Sequence, residues 1–206
     1  MTSADSGRDR ILARIRVSMS LRSPVPLPDR LGEPVEVASA TNVVIDRFVH
    51  QFAAAGGEAV VHPDLRAALA WASVWCSDFP AAAVSASLPD ALRPRLPAVA
   101  PADAALAVSA AISAAAETGT LLLDSRDGRR LQLLAPAHLV WIPRAAVYLT
   151  LRSALRMARG RHGAAIGLHS GPSKSADIGG VLVHGVHGPG RVIAAIVPDE
   201  IFAGTR

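Results

Sequence analysis

The sequence predicts an α/β fold built on a mainly parallel sheet. Short β-type runs alternate with helical periodicities from Thr41 to Val197, and Gly and Pro clusters punctuate them. Half of the 206 residues are apolar, enough for a real core in one domain with a short appendage.

The elements follow in order. Arg8 to Met19 reads as an amphipathic helix with Ile11, Leu12, Ile15 and Met19 on one face. Prolines from Ser23 to Pro34 break that pattern and predict an extended linker. Residues 1–34 are therefore expected to form an arm, and residues 35–206 the domain. Thr41 to Ala55 places Val44, Phe48 and Phe52 on one helical face, and Gly56-Gly57 ends it. Glu58 to His62 is a predicted strand. Pro63-Asp64 opens a helix carrying Leu65, Leu69, Ala72 and Trp75, and Ala81 to Ser87 suits a strand. Residues 88–101 are loop-like. Ala102 to Ala116 suits helix and strand equally, because Ala and Ser decide little. Leu121 to Leu123 is a strand, Asp127-Gly128 a turn, and Leu131 to Leu134 the expected returning strand. His138 to Ile142 reads as a buried strand and Pro143 to Arg159 as one helix stopped by Gly160. Ala164 to His169 is a strand, Ala176 to Val183 a short helix, and Arg191 to Val197 the final strand.

Composition narrows the function classes. No apolar run is long enough to span a bilayer, and the polar N-terminus lacks the apolar region of a signal peptide. The cytoplasm is the expected compartment. Cys76 is the single cysteine, so the chain can form no internal disulfide, nor supply the four thiolates of a typical iron–sulfur cluster. A small buried residue is the favoured reading of Cys76 over a nucleophile. Net charge is +4, but the arginines are dispersed and aromatics are only 4%, which leaves no stacking platform for nucleic-acid bases.

Three clusters can carry chemistry. The first is His169-Ser-Gly-Pro-Ser-Lys-Ser175, where a strand is expected to deliver a loop to a helix N-terminus. Gly171 permits close approach, Ser170, Ser173 and Ser175 supply hydroxyls, and Lys174, the only lysine, supplies charge. Phosphate or carboxylate is the natural guest, and the alternative is an ordinary capped turn. Ser173 stands where a Walker loop has Gly before its Lys, so this is not that motif. The second is Glu117-Thr118-Gly119-Thr120 before the Leu121 strand. Glu117 suits a base, a nucleophile or a hydrogen-bond acceptor, against a structural Glu bonding loop amides. The third is Gly185-Val-His187-Gly-Pro-Gly190, a shaped turn whose His187 can line a site. His184 and His187 alone are a weak metal signal, so no metal is assigned. His138 reads as a structural histidine.

Together, Ala116-Glu-Thr-Gly-Thr-Leu, Leu133-Leu-Ala-Pro-Ala-His-Leu-Val, Ser170-Gly-Pro-Ser-Lys-Ser-Ala-Asp-Ile and Gly185-Val-His-Gly-Pro resemble, in order and spacing, the LUD domain of the lactate-utilisation protein C family. The resemblance is strongest from Ser109 to Val197. It implies a three-layer α/β/α sandwich of the sugar-phosphate isomerase and CoA-transferase-like type. It also implies a cluster-free role in oxidising L-lactate to pyruvate, beside partner proteins that carry iron–sulfur clusters. Ile112 stands where many members have Asp, and Ala110 where they have Gly. The alternative is a stand-alone enzyme acting on a phosphorylated or CoA-linked metabolite, with Glu117 as base or nucleophile. A shared site expects Glu117, the Ser170 loop and His187 to meet in one cleft at the strand ends, where open α/β sheets bind ligands.

Overall fold

The computed structural model describes residues 7–20, 41–161, 163–176 and 182–202. The chain divides into two compact units, Met1–Val35 and Glu36–Arg206. In the first, α1 (Gly7–Ser20) is a helix, as expected there. The Pro-rich linker lies outside the described residues.

In the second unit, α2 (Asn42–Ala54) begins where the Thr41 hydroxyl accepts the Val44 amide. It buries Val44, Ile45, Phe48 and Phe52, and the last two rings stack with centroids 5.4 Å apart. Each fully buried Phe contributes roughly 1.5–3 kcal/mol, so this face anchors the helix. β1 (Glu58–Val61) follows, then α3 (Leu65–Cys76), whose Asp64 cap accepts the Ala67 amide at 2.8 Å. The remaining elements are β2 (Ala82–Val84), β3 (Leu106–Ala110), β4 (Ser113–Ala115), β5 (Thr120–Asp124), α4 (Arg129–Leu133), β6 (Ala137–Pro143), β7 (Val147–Tyr148), α5 (Leu151–Ala158), β8 (Ile166–His169), β9 (Lys174–Ala176), β10 (Leu182–His184) and β11 (Arg191–Val197).

Among the described residues the central sheet has the order β1-β11-β6-β3-β2, and every pairing is parallel. Its strands alternate faces. Val140, Ile142, Val192, Ala194 and Ile196 pack with α2, whereas Leu139, Trp141, Ile193, Ala195 and Val197 pack with α3. The sheet therefore lies between helices, as the α/β reading requires.

A second sheet, β7-β4-β5-β8, was not legible in the sequence. The chain enters it by switching sheets: the Ala111 amide still bonds Trp141 of the first sheet, and the Ile112 amide already bonds Leu122 of the second. Ile112 packs there with Ala115, Leu122 and Tyr148.

This second sheet explains two corrections. Leu131 to Leu134 is not a returning strand, because β4 and β8 occupy both edges of β5; residues 129–133 form α4 instead. Pro143 to Arg159 is not one helix, because Val147 and Tyr148 pair with Ala114 and Ala115. Helix α5 starts only at Leu151, where the Thr150 hydroxyl accepts the Ser153 amide. A third correction concerns Ala176 to Val183. Its described ends are antiparallel strands, Leu182 opposite Ala176 and His184 opposite Lys174, and residues 177–181 lie outside the described set. No described helix is long and apolar enough to cross a membrane.

Candidate functional site

Strand β8 delivers the chain to the turn Ser170–Ser173, as expected, but β9 follows it and not a helix. The expected helix N-terminus is thus replaced by tertiary packing. Gly171 has φ +78°, and a Cβ there would lie 2.7 Å from the Ala55 carbonyl oxygen, so the turn can dock on the end of α2 only as glycine. The Ser173 amide donates to the Pro189 carbonyl at 2.8 Å, and the Gly185 amide donates to the Ser173 carbonyl at 2.9 Å. These bonds fasten the Ser170 turn to the His187 turn.

A cleft of about 510 Å³ opens beside them. Arg129, Gln132, His169, Ser170, Ser173 and His187 line it. Leu133 and Pro189, just before β6 and β11, also line it. The cleft therefore lies at the amino ends of those parallel strands, because the second sheet carries the Ser170 turn to that edge.

The remaining predicted residues are placed elsewhere. Lys174 does not line the cleft; its ammonium donates to the Ala55 carbonyl at the C-terminal end of α2. There it suits the negative end of the helix dipole. Ser175 lies in β9 opposite Val183. Glu117 accepts the Leu151 amide at 2.7 Å at the start of α5 and also lies outside the cleft lining. Thr118, Thr120 and Ser170 form a chain of hydroxyl hydrogen bonds, each 2.7 Å, so the two motifs touch through Ser170. Gly119 packs so tightly on α2 that a Cβ would meet the Phe52 amide nitrogen at 2.4 Å.

Arg129 and Gln132 escaped the sequence reading because they sit in the segment read as turn and strand. Gln132 is buried, and its side-chain amide donates to the Asp124 carbonyl at 2.6 Å. Beneath the cleft, His138 is buried, with Nε2 2.8 Å from the Ser109 hydroxyl. Its Nδ1 has no partner among the described residues, so the structural reading of His138 is only half satisfied. Burial, reinforced by the nearby His169, pushes its pKa down to about 3. The His169 ring stands perpendicular to it, 6.5 Å away, and burial lowers its pKa too. Both rings are therefore neutral near pH 7. Cys76 is buried and its thiol is pushed up to about 11, which suits packing and not nucleophilic attack. Among the described residues no group of three or more His, Cys, Asp or Glu side chains is placed to hold a metal.

Residues 100–197 match the LUD domain family model. The chain is 36% identical over 88 residues to lactate utilization protein C of Anoxybacillus flavithermus, covering 41% of this chain and 40% of that protein. It is 38% identical over 92 residues to lactate utilization protein C of Shouchella clausii, covering 41% and 40%. The match thus spans about 40% of the length of these curated relatives. Among solved structures, a DUF162 family protein from Deinococcus radiodurans aligns with TM-score 0.58 at 19% identity, covering 80% of this chain and 99% of that one. That likeness speaks for the fold. Residues 100–197, which contain the Glu117, Ser170 and His187 motifs, are thus the part of the chain that is similar to the LUD domain and to these lactate utilization proteins.

Proposed function

We propose that this chain serves lactate utilisation in the cytoplasm as a cluster-free component beside iron–sulfur proteins that oxidise L-lactate to pyruvate, and that its cleft binds an anionic small molecule. The pathway rests on the names of relatives that share the matched segment. The anion site rests on one observation: Arg129 lines the cleft together with Ser170, Ser173 and His187. Arginine with hydroxyl donors is a natural partner for carboxylate or phosphate. Lys174, the cation expected from sequence, is held at α2, so Arg129 takes that role. Glu117 serves here to hold the start of α5, and no observation favours it as base or nucleophile.

Calorimetric titration with orthophosphate and L-lactate tests the anion site. Arg129→Ala should weaken binding at least about tenfold, the scale of one charge-assisted contact, while Lys174→Met should leave affinity unchanged. Binding that depends on Lys174 and ignores Arg129 would overturn the assignment. Co-expression with cysteine-rich lactate-utilisation proteins should yield a complex on purification; none forming would remove the partner role.

A further inference from the structure

We propose that the corner of the cleft formed by Gln132, His169 and Gly167 is a hydroxyl-recognition subsite, so that the preferred ligand is an anion that also carries an alcohol. This rests on the anion site just proposed. A Cβ on Gly167 would lie 2.6 Å from Gln132 Oε1 and 2.8 Å from His169 Nε2. The two polar atoms thus converge on one spot that is open only because residue 167 has no side chain. All three residues line the cleft.

The chemistry of the corner is fixed by its neighbours. The Gln132 amide nitrogen is committed to the Asp124 carbonyl at 2.6 Å, so its oxygen is the atom left to face Gly167. That oxygen only accepts. The partly buried, neutral imidazole of His169 offers one N–H and one lone pair. A hydroxyl satisfies both: it donates to Gln132 Oε1 and accepts from His169 Nε2–H. A carboxylate, an ionised phosphate oxygen or a ketone only accepts, so each would meet the Gln132 oxygen acceptor to acceptor. The charged end of the ligand is then directed away from the corner, toward Arg129 and the Ser170–Ser173 turn. At about 510 Å³ the cleft is in the range that takes a ligand well above three carbons, with room for both ends.

Hydroxycarboxylates and hydroxyl-bearing phosphate esters share this chemistry, and paired probes separate them. The carboxylate arm compares gluconate with hexanoate and L-lactate with pyruvate. The phosphate arm compares glycerol 3-phosphate with propyl phosphate. Orthophosphate reports the anion site alone. In at least one arm the alcohol should bind about tenfold more tightly than its partner, the scale of a hydrogen bond whose loss leaves a buried group unpaired. Gly167→Ala, which fills the corner, and His169→Phe, which keeps the ring and removes its nitrogens, should each erase that preference. Neither should change orthophosphate binding more than about twofold. Equal binding of alcohol and control, or a preference that survives both substitutions, overturns the subsite while Arg129-dependent orthophosphate binding upholds the anion site. If no anion binds, both readings fall.

Discussion

His138 illustrates what one buried polar side chain demands. One nitrogen reaches the Ser109 hydroxyl, and the other reaches no described partner. Removing the hydroxyl leaves the whole ring unpaired, so Ser109→Ala should destabilise the fold by about 1–3 kcal/mol. Replacing both partners with apolar groups removes the unpaired atoms as well. The double variant Ser109→Ala/His138→Leu should therefore be more stable than Ser109→Ala alone in urea unfolding. A double variant that is worse than the sum of its parts would show that the ring matters for packing and not for hydrogen bonding. The glycines act at the same scale. Gly119 and Gly171 have φ of +57° and +78°; a Cβ on the first would strike Phe52 in α2 and on the second Ala55 just after it, so they fasten both chemical motifs to one helix end. Sequence alone could show that these residues are glycines, but not which backbone they press against.

Helix ends explain where two prominent charged residues went. Lys174 meets the carbonyl end of α2, and Glu117 meets the amide end of α5. Each charge has the sign that its helix terminus prefers. Lys174→Met should cost about 0.3–1 kcal/mol and Glu117→Ala about 1 kcal/mol, both read as lower denaturant midpoints. Neither should alter orthophosphate affinity; a large affinity loss in Glu117→Ala would return that residue to the ligand site. The strands β1, β5, β6, β8 and β11 and the helices α2 and α3 were legible because their apolar periodicity was strong. Their caps Thr41 and Asp64 behave as the sequence suggests. The Thr150-x-x-Ser153 cap was an available signal for the true start of α5, overshadowed by the helical pattern of residues 143–159.

At the scale of the molecule, three histidines share one response to acid. His62, His138 and His169 all have pKa values lowered by burial. In the unfolded chain they return to about 6.5 and bind protons first. Where the unfolded state binds more protons, stability rises with pH. Unfolding free energy should therefore fall as pH drops below about 6.5, by up to about 1.4 kcal/mol per pH unit for each histidine. For His138 the loss continues toward about 3. Urea unfolding at a series of pH values from about 7.5 to 5 should show this slope, and His138→Leu should flatten it. An unchanged slope would mean that the buried ring takes up its proton without unfolding.

The sequence by itself determined the α/β class, the chief strands and helices of the parallel layer, and the motifs that mark the LUD domain. Periodicity, caps and turn residues are local properties, and a single chain carries them openly. Only the tertiary structure decided that β3 and β4 belong to different sheets, that the Ser170 turn rests on α2, and that the cleft opens at the amino ends of the strands. It also decided which charges face that cleft: Lys174 is drawn to a helix terminus far away in sequence, and Arg129, on a short helix that periodicity alone read as turn and strand, lines the cleft. Such placements depend on which strand edges are already filled and which backbone groups still need partners, and those are settled only when the whole chain packs.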